Sequence, residues 1–240
     1  MDDAAEPRRR GSPPGYATTS VRPYGAGRRI INRCLVSLAL VLGVLAAPAV
    51  GRADRPLKLL ALGDSLTAGY GLPSSESFPV RLQAALAAAG LSVSVINAGV
   101  SGDTSAGGRA RIDWLLADKP DFALVELGAN DGLRGIDPQV TYDNLDAVLA
   151  RLARDKVPVL LAGMLAPPNL GREYGDAFKD VFPRLAEKHH VPLYPFFLDG
   201  VAAQPDLNQA DGIHPNAKGV DVIVARILPY VKQLIASAPA

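Results

Sequence analysis

The chain has 240 residues, 48% of them hydrophobic, and a formal charge of +1. This suits one folded domain with appendages and excludes general disorder. Residues 1–49 hold seven arginines against Asp2, Asp3 and Glu6, which leaves 18 bases and 21 acids, about −3, on the rest. A near-neutral body of that kind has no basic footprint for nucleic acid.

Taken in chain order, the first segment reads as an address. Residues 1–29 form a Pro/Gly/Arg-rich basic lead expected to be disordered. Residues 30–53 follow as a signal peptide or an apolar anchor. Their uncharged run from Cys34 to Val50 stands behind Arg28, Arg29 and Arg33 and ends in Ala47-Pro48-Ala49, a small-x-small pattern suited to cleavage. The run is shorter than the ~20 residues that span a bilayer comfortably. Export with cleavage, to the periplasm or outside the cell, is the primary expectation; anchoring by uncleaved residues 34–50 is the alternative. Arg28-Arg29 alone is a weak twin-arginine signal. Cys34 is the only cysteine, so a cleaved product has neither disulfide nor thiol chemistry.

From residue 54 to 240 one domain is expected. Leu57–Leu62 reads as a strand, and Ser77 as the cap of a helix closed by Gly90. Val93–Ile96 is a second strand. A helix over Ala106–Leu116 follows, with Gly107 and Gly108 each weakening its start by about 1 kcal/mol. Phe122–Leu127 is a third strand. Asp137-Pro138 is the cap and first turn of a helix reaching Arg154. A fourth strand at Val159–Ala162, a helix over Asp176–His189, a fifth strand at Leu193–Phe196 and a helix over Asn216–Ile235 complete the chain. Short strands alternating with long helices imply an α/β fold, a parallel sheet covered on both faces as a doubly wound three-layer sandwich. Ligands in such folds sit beyond the carboxyl ends of the strands.

The polar clusters fall there. Asp64-Ser65 follows the first strand, Asn97-Ala98-Gly99 the second, and Gly128-Ala129-Asn130-Asp131 the third. Far along the chain, His214 has Asp211 one turn earlier and Pro215 just after it. A serine becomes nucleophilic only beside a base, and the base needs an acid to orient it, so Ser65, His214 and Asp211 supply the groups for acyl transfer. Oxyanion donors would be the N–H groups of Ser65 and Gly99 and the side chain of Asn130. Each piece has a plain rival: Ser65 as a helix cap, Asp211-Gly212 as a turn, Asn130-Asp131-Gly132 as another. His189 and His190 suit the end of a helix. Asp64, Asp103, Asn130, Asp131 and His214 could in principle supply metal ligands. No helical ligand pair accompanies them, and no metal is expected. Neither a phosphate loop nor the Gly-x-Ser-x-Gly elbow is present, since Thr67 stands at the second glycine of that elbow.

Gly63-Asp64-Ser65-Leu66, Gly99, Gly128-Ala129-Asn130-Asp131 and Asp211-Gly212-Ile213-His214 occur in the order of the four blocks of the SGNH (GDSL) hydrolases. The chain resembles that family over residues 57–235, and within it the bacterial periplasmic thioesterase/protease/lysophospholipase and arylesterase branch. The resemblance implies a flavodoxin-like three-layer α/β/α sandwich with a five-stranded parallel sheet. It implies a serine esterase acting through an acyl-enzyme with Ser65, His214 and Asp211, and with Ser65, Gly99 and Asn130 around the oxyanion. No cofactor is implied. Substrates would be acyl thioesters, lysophospholipids and aryl or short-chain esters, met by a monomer in transient contact with lipid surfaces. Leu165, Pro167, Pro168 and Asn169 lie where the family has a substrate-lining loop. An acetylesterase acting on polysaccharide or cell-wall glycan is the enzyme alternative, marked by aromatic platforms. A non-catalytic binding module is the other.

Overall fold

The structure, a computed structural model, describes residues 55–237. The basic lead, the apolar segment with Cys34 and the small-x-small site lie outside the described residues. Five strands form one parallel sheet: β1 (Leu57–Gly63), β2 (Val93–Gly99), β3 (Phe122–Glu126), β4 (Val159–Ala162) and β5 (Leu193–Tyr194), in the order β2-β1-β3-β4-β5. This is the flavodoxin-like order, with its reversal between β1 and β3. Leu59, Leu60 and Leu62 of β1 and all of β3 and β4 are buried. That is why these runs are continuously apolar rather than alternating. Burying each such Leu or Phe favours folding by about 1.5–3 kcal/mol.

Among the described residues seven helices surround the sheet: α1 (Ser65–Ala68), α2 (Phe78–Ala88), α3 (Ser105–Leu115), α4 (Ala129–Leu133), α5 (Pro138–Arg154), α6 (Arg172–His189) and α7 (Ala217–Ala236). α2 packs against α7, while α5 packs against both α3 and α6, giving the two outer layers.

Several expected ends move for local reasons. β5 stops at Tyr194 because Pro195 has no N–H for the ladder. α6 begins at Arg172, behind Gly171 at φ 86, earlier than Asp176. α4 takes up the Asn130-Asp131-Gly132 stretch whose plain rival reading is a turn, and Gly128 at φ 115 stands at its start. Asp137 caps α5 as expected, its carboxylate accepting from the Gln139 N–H at 2.8 Å. Ser77 occupies the cap position of α2, but its hydroxyl donates to Ser74 O at 2.8 Å. The glycines of α3 are there for space: a Cβ on Gly108 would lie 2.2 Å from Leu127 Cδ1, and one on Gly107 1.6 Å from Asp103 Oδ1.

The register aligns the working edge. Gly63 pairs with Gly99 on one side and Glu126 on the other, and Glu126 pairs with Ala162. The segments holding Ser65, Asp103, Asn130 and Leu165 therefore leave the sheet from one line.

Candidate active site

Ser65 opens α1 directly beyond β1. It is not the cap of that helix. Asp64 is, its Oδ1 accepting from the Leu66 N–H at 3.0 Å. With the capping position filled by its neighbour, the Ser65 hydroxyl is left for His214, whose Nε2 lies 2.9 Å from Ser65 Oγ. His214 Nδ1 lies 2.6 Å from Asp211 Oδ2. A carboxylate only accepts, so Nδ1 carries the proton, and Nε2 offers its lone pair to the Ser65 O–H. Asp211 Oδ1 accepts from the N–H groups of Ile213 and His214, both at 3.0 Å. The hydrogen bond from His214, then those backbone donors, hold the Asp211 carboxyl down at about 2. The turn at Gly212 (φ 69) is thus also the device that aims the imidazole.

Two contacts hold the imidazole from the other side. α1 ends after one turn at Gly69 (φ 84), which brings the Tyr70 ring to 4.5 Å from the His214 ring. Gln209 Nε2 donates to Tyr70 O at 2.7 Å and to Pro215 O at 3.0 Å, joining the serine and histidine segments. Gly71 leaves room for this amide, since a Cβ there would sit 2.1 Å from Gln209 Oε1.

Behind the serine lie two buried acids. Glu126 ends β3 with Oε2 accepting from Thr67 Oγ1 at 2.7 Å, and the N–H groups of Asp64 and Thr67 also turn toward it. Burial, reinforced by the charge of Asp64, pushes Glu126 well above the usual carboxylate range. Burial likewise raises Asp64 to about 6, against the lowering effect of the Leu66 N–H.

Asn130, on α4, donates Nδ2 to Asp103 O at 2.9 Å and to Asp64 Oδ2 at 3.2 Å. Arg111 ties the same region together: its guanidinium donates to Asp103 Oδ2 (2.8 Å), Ala98 O (2.7 Å) and Gly63 O (2.9 Å). Gly99 is placed differently from Ser65 and Asn130. It is the last residue of β2, its N–H donates to Asn97 Oδ1 at 3.0 Å, and a Cβ there would meet Ala68 N at 2.2 Å. Gly99 serves an oxyanion only by giving up Asn97; the space it leaves is used by α1.

Ser65, Asn130 and His214 line a cavity of about 440 Å³ with Leu66, Leu133, Met164, Leu165, Ala166, Pro167, Pro168, Phe196, Leu198 and Ile213 among its walls. This is the ordinary size for a small-molecule site. Leu165, Pro167 and Pro168 of the expected substrate loop are in the wall. Asn169 is not; it is exposed in the 3-10 turn Pro168–Leu170.

The other candidates have structural partners. Asp131 accepts from the Ser105 N–H (2.8 Å), the Ser105 hydroxyl and Thr141 Oγ1 (3.2 Å). Asp103 is paired with Arg111. His189 Nε2 meets Asp146 Oδ1 of α5 at 2.7 Å, and His190 is the left-handed cap of α6. Among the described residues no three His, Cys, Asp or Glu side chains gather to hold a metal ion. Trp114 is exposed on α3 and takes no part in the cleft wall. Tyr70, Glu126 and Arg111 were not foreseen. Tyr70 and Glu126 lie beside the motifs, whereas Arg111 carries no local signal.

Residues 61–222 match the GDSL-like Lipase/Acylhydrolase family. The chain is 46% identical over 159 residues to an arylesterase of Vibrio mimicus, covering 66% of this chain and 80% of that one. It is 40% identical over 197 residues to the esterase TesA of Pseudomonas aeruginosa, covering 82% and 98%. Among solved structures, the psychrotrophic esterase EstA from Pseudoalteromonas sp., inhibited by monoethylphosphonate, superposes with a TM-score of 0.72 at 35% identity, covering 75% of this chain and 99% of that one.

Proposed function

The chain belongs to the GDSL-like lipase/acylhydrolase family, and from that membership and the geometry at Ser65 we propose that it hydrolyses carboxylic esters and thioesters through an acyl-enzyme. The observation that carries this is the Ser65 Oγ to His214 Nε2 contact of 2.9 Å at the wall of an apolar cavity, with Asp211 locked to the far side of the imidazole.

In this reading His214 takes the Ser65 proton as Oγ attacks the acyl carbon, and Asp211 stabilises the imidazolium. The Ser65 and Gly99 N–H groups and the Asn130 amide receive the oxyanion, Gly99 giving up its bond to Asn97 and Asn130 its longer bond to Asp64. His214 then protonates the leaving group. Water, activated by the same imidazole, frees the carboxylic acid. No step calls for a cofactor. Every group comes from one copy of the chain, so a monomer suffices.

The apolar wall favours uncharged acyl or aryl groups, in keeping with the arylesterase and esterase relatives. Leu133, Leu165 and Ile213 line the cleft yet are nearly half exposed, which supports transient contact with a lipid surface and lysolipids as substrates. We place the domain at residues 54–240 and read residues 30–53 as a signal for export. No helix among the described residues is long and apolar enough to cross a membrane.

Ser65→Ala and His214→Ala should each lower kcat/KM on p-nitrophenyl esters by at least about 10⁴ while leaving the fold intact. An organophosphonate probe should label wild type at Ser65 and leave Ser65→Ala unmodified. Labelling elsewhere, or turnover retained by folded Ser65→Ala, overturns the assignment. A chelator should leave the rate unchanged.

A further inference from the structure

Glu126 is completely buried at the end of β3, and the reaction described above gives it no task. It pairs across the sheet with Gly63, the residue from which the chain runs through Asp64 into Ser65. A Cβ on Gly63 would lie 2.0 Å from Thr67 Oγ1 and 2.6 Å from Glu126 Oε2, so the hydroxyl and the carboxyl fill the space that this glycine leaves. Thr67 donates that hydroxyl to Glu126 Oε2 at 2.7 Å, and the N–H groups of Asp64 and Thr67 turn toward the same carboxyl. Glu126 thus grips the chain on both sides of Ser65.

The helix that carries Ser65 cannot hold itself in place. α1 has four residues and closes at Gly69, far short of the length at which a helix is stable alone. Its first amides must be met from outside its own ladder. Asp64 Oδ1 takes the Leu66 N–H at 3.0 Å, and Glu126 faces those of Asp64 and Thr67. The Ser65 N–H has no partner among the described residues, and its hydroxyl meets only His214 Nε2, at 2.9 Å. We propose that Glu126 is the positioning residue of the nucleophile: its carboxyl fixes α1 against β3, so that the Ser65 hydroxyl and N–H present one geometry to the acyl group. This rests on the esterase reading above and adds a residue to it.

A carboxyl suits the task. A hydroxyl and two amides all donate, and its oxygen accepts. Burial favours its uncharged form, so the grip sets no full negative charge beside a developing oxyanion. Glu126 Oε1 has no hydrogen-bond partner, so the Oε2 side carries the contact. Neither Glu126 nor Thr67 lines the cavity, and substrate contacts therefore do not depend on them. Their effect runs through Ser65 alone, where a displacement of about 1 Å costs roughly 10² in rate.

The test follows p-nitrophenyl butyrate turnover, organophosphonate labelling of Ser65 and thermal melting in four variants. Glu126→Gln can set its carbonyl oxygen where Oε2 stands and its NH2 where Oε1 has no partner, so kcat should stay within about threefold of wild type. Glu126→Leu keeps the bulk without the acceptor; kcat should fall about 100-fold and labelling slow in proportion, with KM within about twofold. Glu126→Leu with Thr67→Val removes acceptor and hydroxyl together, which should raise the melting temperature above that of Glu126→Leu while kcat stays low. Thr67→Val alone should lose about tenfold, and it decides the matter if the leucine variants do not fold. The assignment is overturned if folded Glu126→Leu, or Thr67→Val in its stead, keeps the wild-type kcat. It is equally overturned if Glu126→Gln falls as far as Glu126→Leu, or if kcat returns with melting in the double variant. Failure of wild type to turn over the ester or to be labelled at Ser65 overturns the esterase reading, and the positioning role with it.

Discussion

Asp211 and Asp64 are both aspartates within reach of the reacting groups, yet their environments drive them apart. Asp211 is partly exposed and held by three donors, so it stays ionised down to about pH 2. Its folded value is depressed, so whatever stability it adds is present above the unfolded value of about 3.9 and fades as pH falls toward 2. Asp64 is completely buried and raised to about 6, so folding favours its protonated form. Its contribution is full below about pH 4 and lost as pH climbs through 6. Asp64→Asn keeps a capping side chain for α1 and removes this penalty. Relative to wild type its unfolding free energy should improve by up to about 3 kcal/mol between pH 4 and 8, followed by urea denaturation. The same change replaces the carboxylate acceptor of Asn130 with a neutral amide, and kcat should fall about tenfold or more. Tyr70→Ala should lower kcat by about two- to tenfold through a looser imidazole, the worth of one aromatic contact. The meeting of Ser65, His214 and Asp211 was legible because acyl transfer would demand those residue types together. The sequence did not show the resting partner of the Gly99 N–H, since that depends on a side chain two residues back, Asn97. Glu126 was hidden inside an apolar strand.

At the scale of elements, long periodic stretches were read well and short ones poorly. β1, α5 and α7 announce themselves through runs, caps and helical spacing. α1 and α4 are four and five residues long, too short for any period, and the glycines that flank them, Gly69 after α1 and Gly128 before α4, make the stretches resemble turns. What fixes them is tertiary: α1 lies across the end of β2, in the space that Gly99 leaves open. Gly99→Ala places a methyl against the Ala68 backbone, which cannot yield as a side-chain tip would. We expect a loss of about 1–3 kcal/mol, measured by thermal melting, together with lower kcat as Ser65 shifts. The reversal of strand order between β1 and β3 sets Ser65 and Asn130 on either side of one crevice. Parallel layering was legible from alternation; that lateral order was not, because nothing local encodes which strand becomes a neighbour.

At the scale of the whole described domain, some of the large exposed apolar residues stand where the cleft opens, others such as Trp114 and Val140 elsewhere. Leu133, Leu165 and Ile213 rim it, and Tyr70 stands beside His214. Leu165→Asp should therefore depress turnover of lysolipid presented in vesicles more than turnover of a dissolved aryl ester, the ratio of the two rates being the readout. The hydroxyl and its base are separated by 149 residues of sequence and latched by the Gln209 amide. In the proposed reaction a nascent polypeptide thus holds its nucleophile for most of translation without any means of igniting it. Competence on that reading arrives only when the closing stretch has emerged and docked, so a chain cut short before His214 should be inert toward esters.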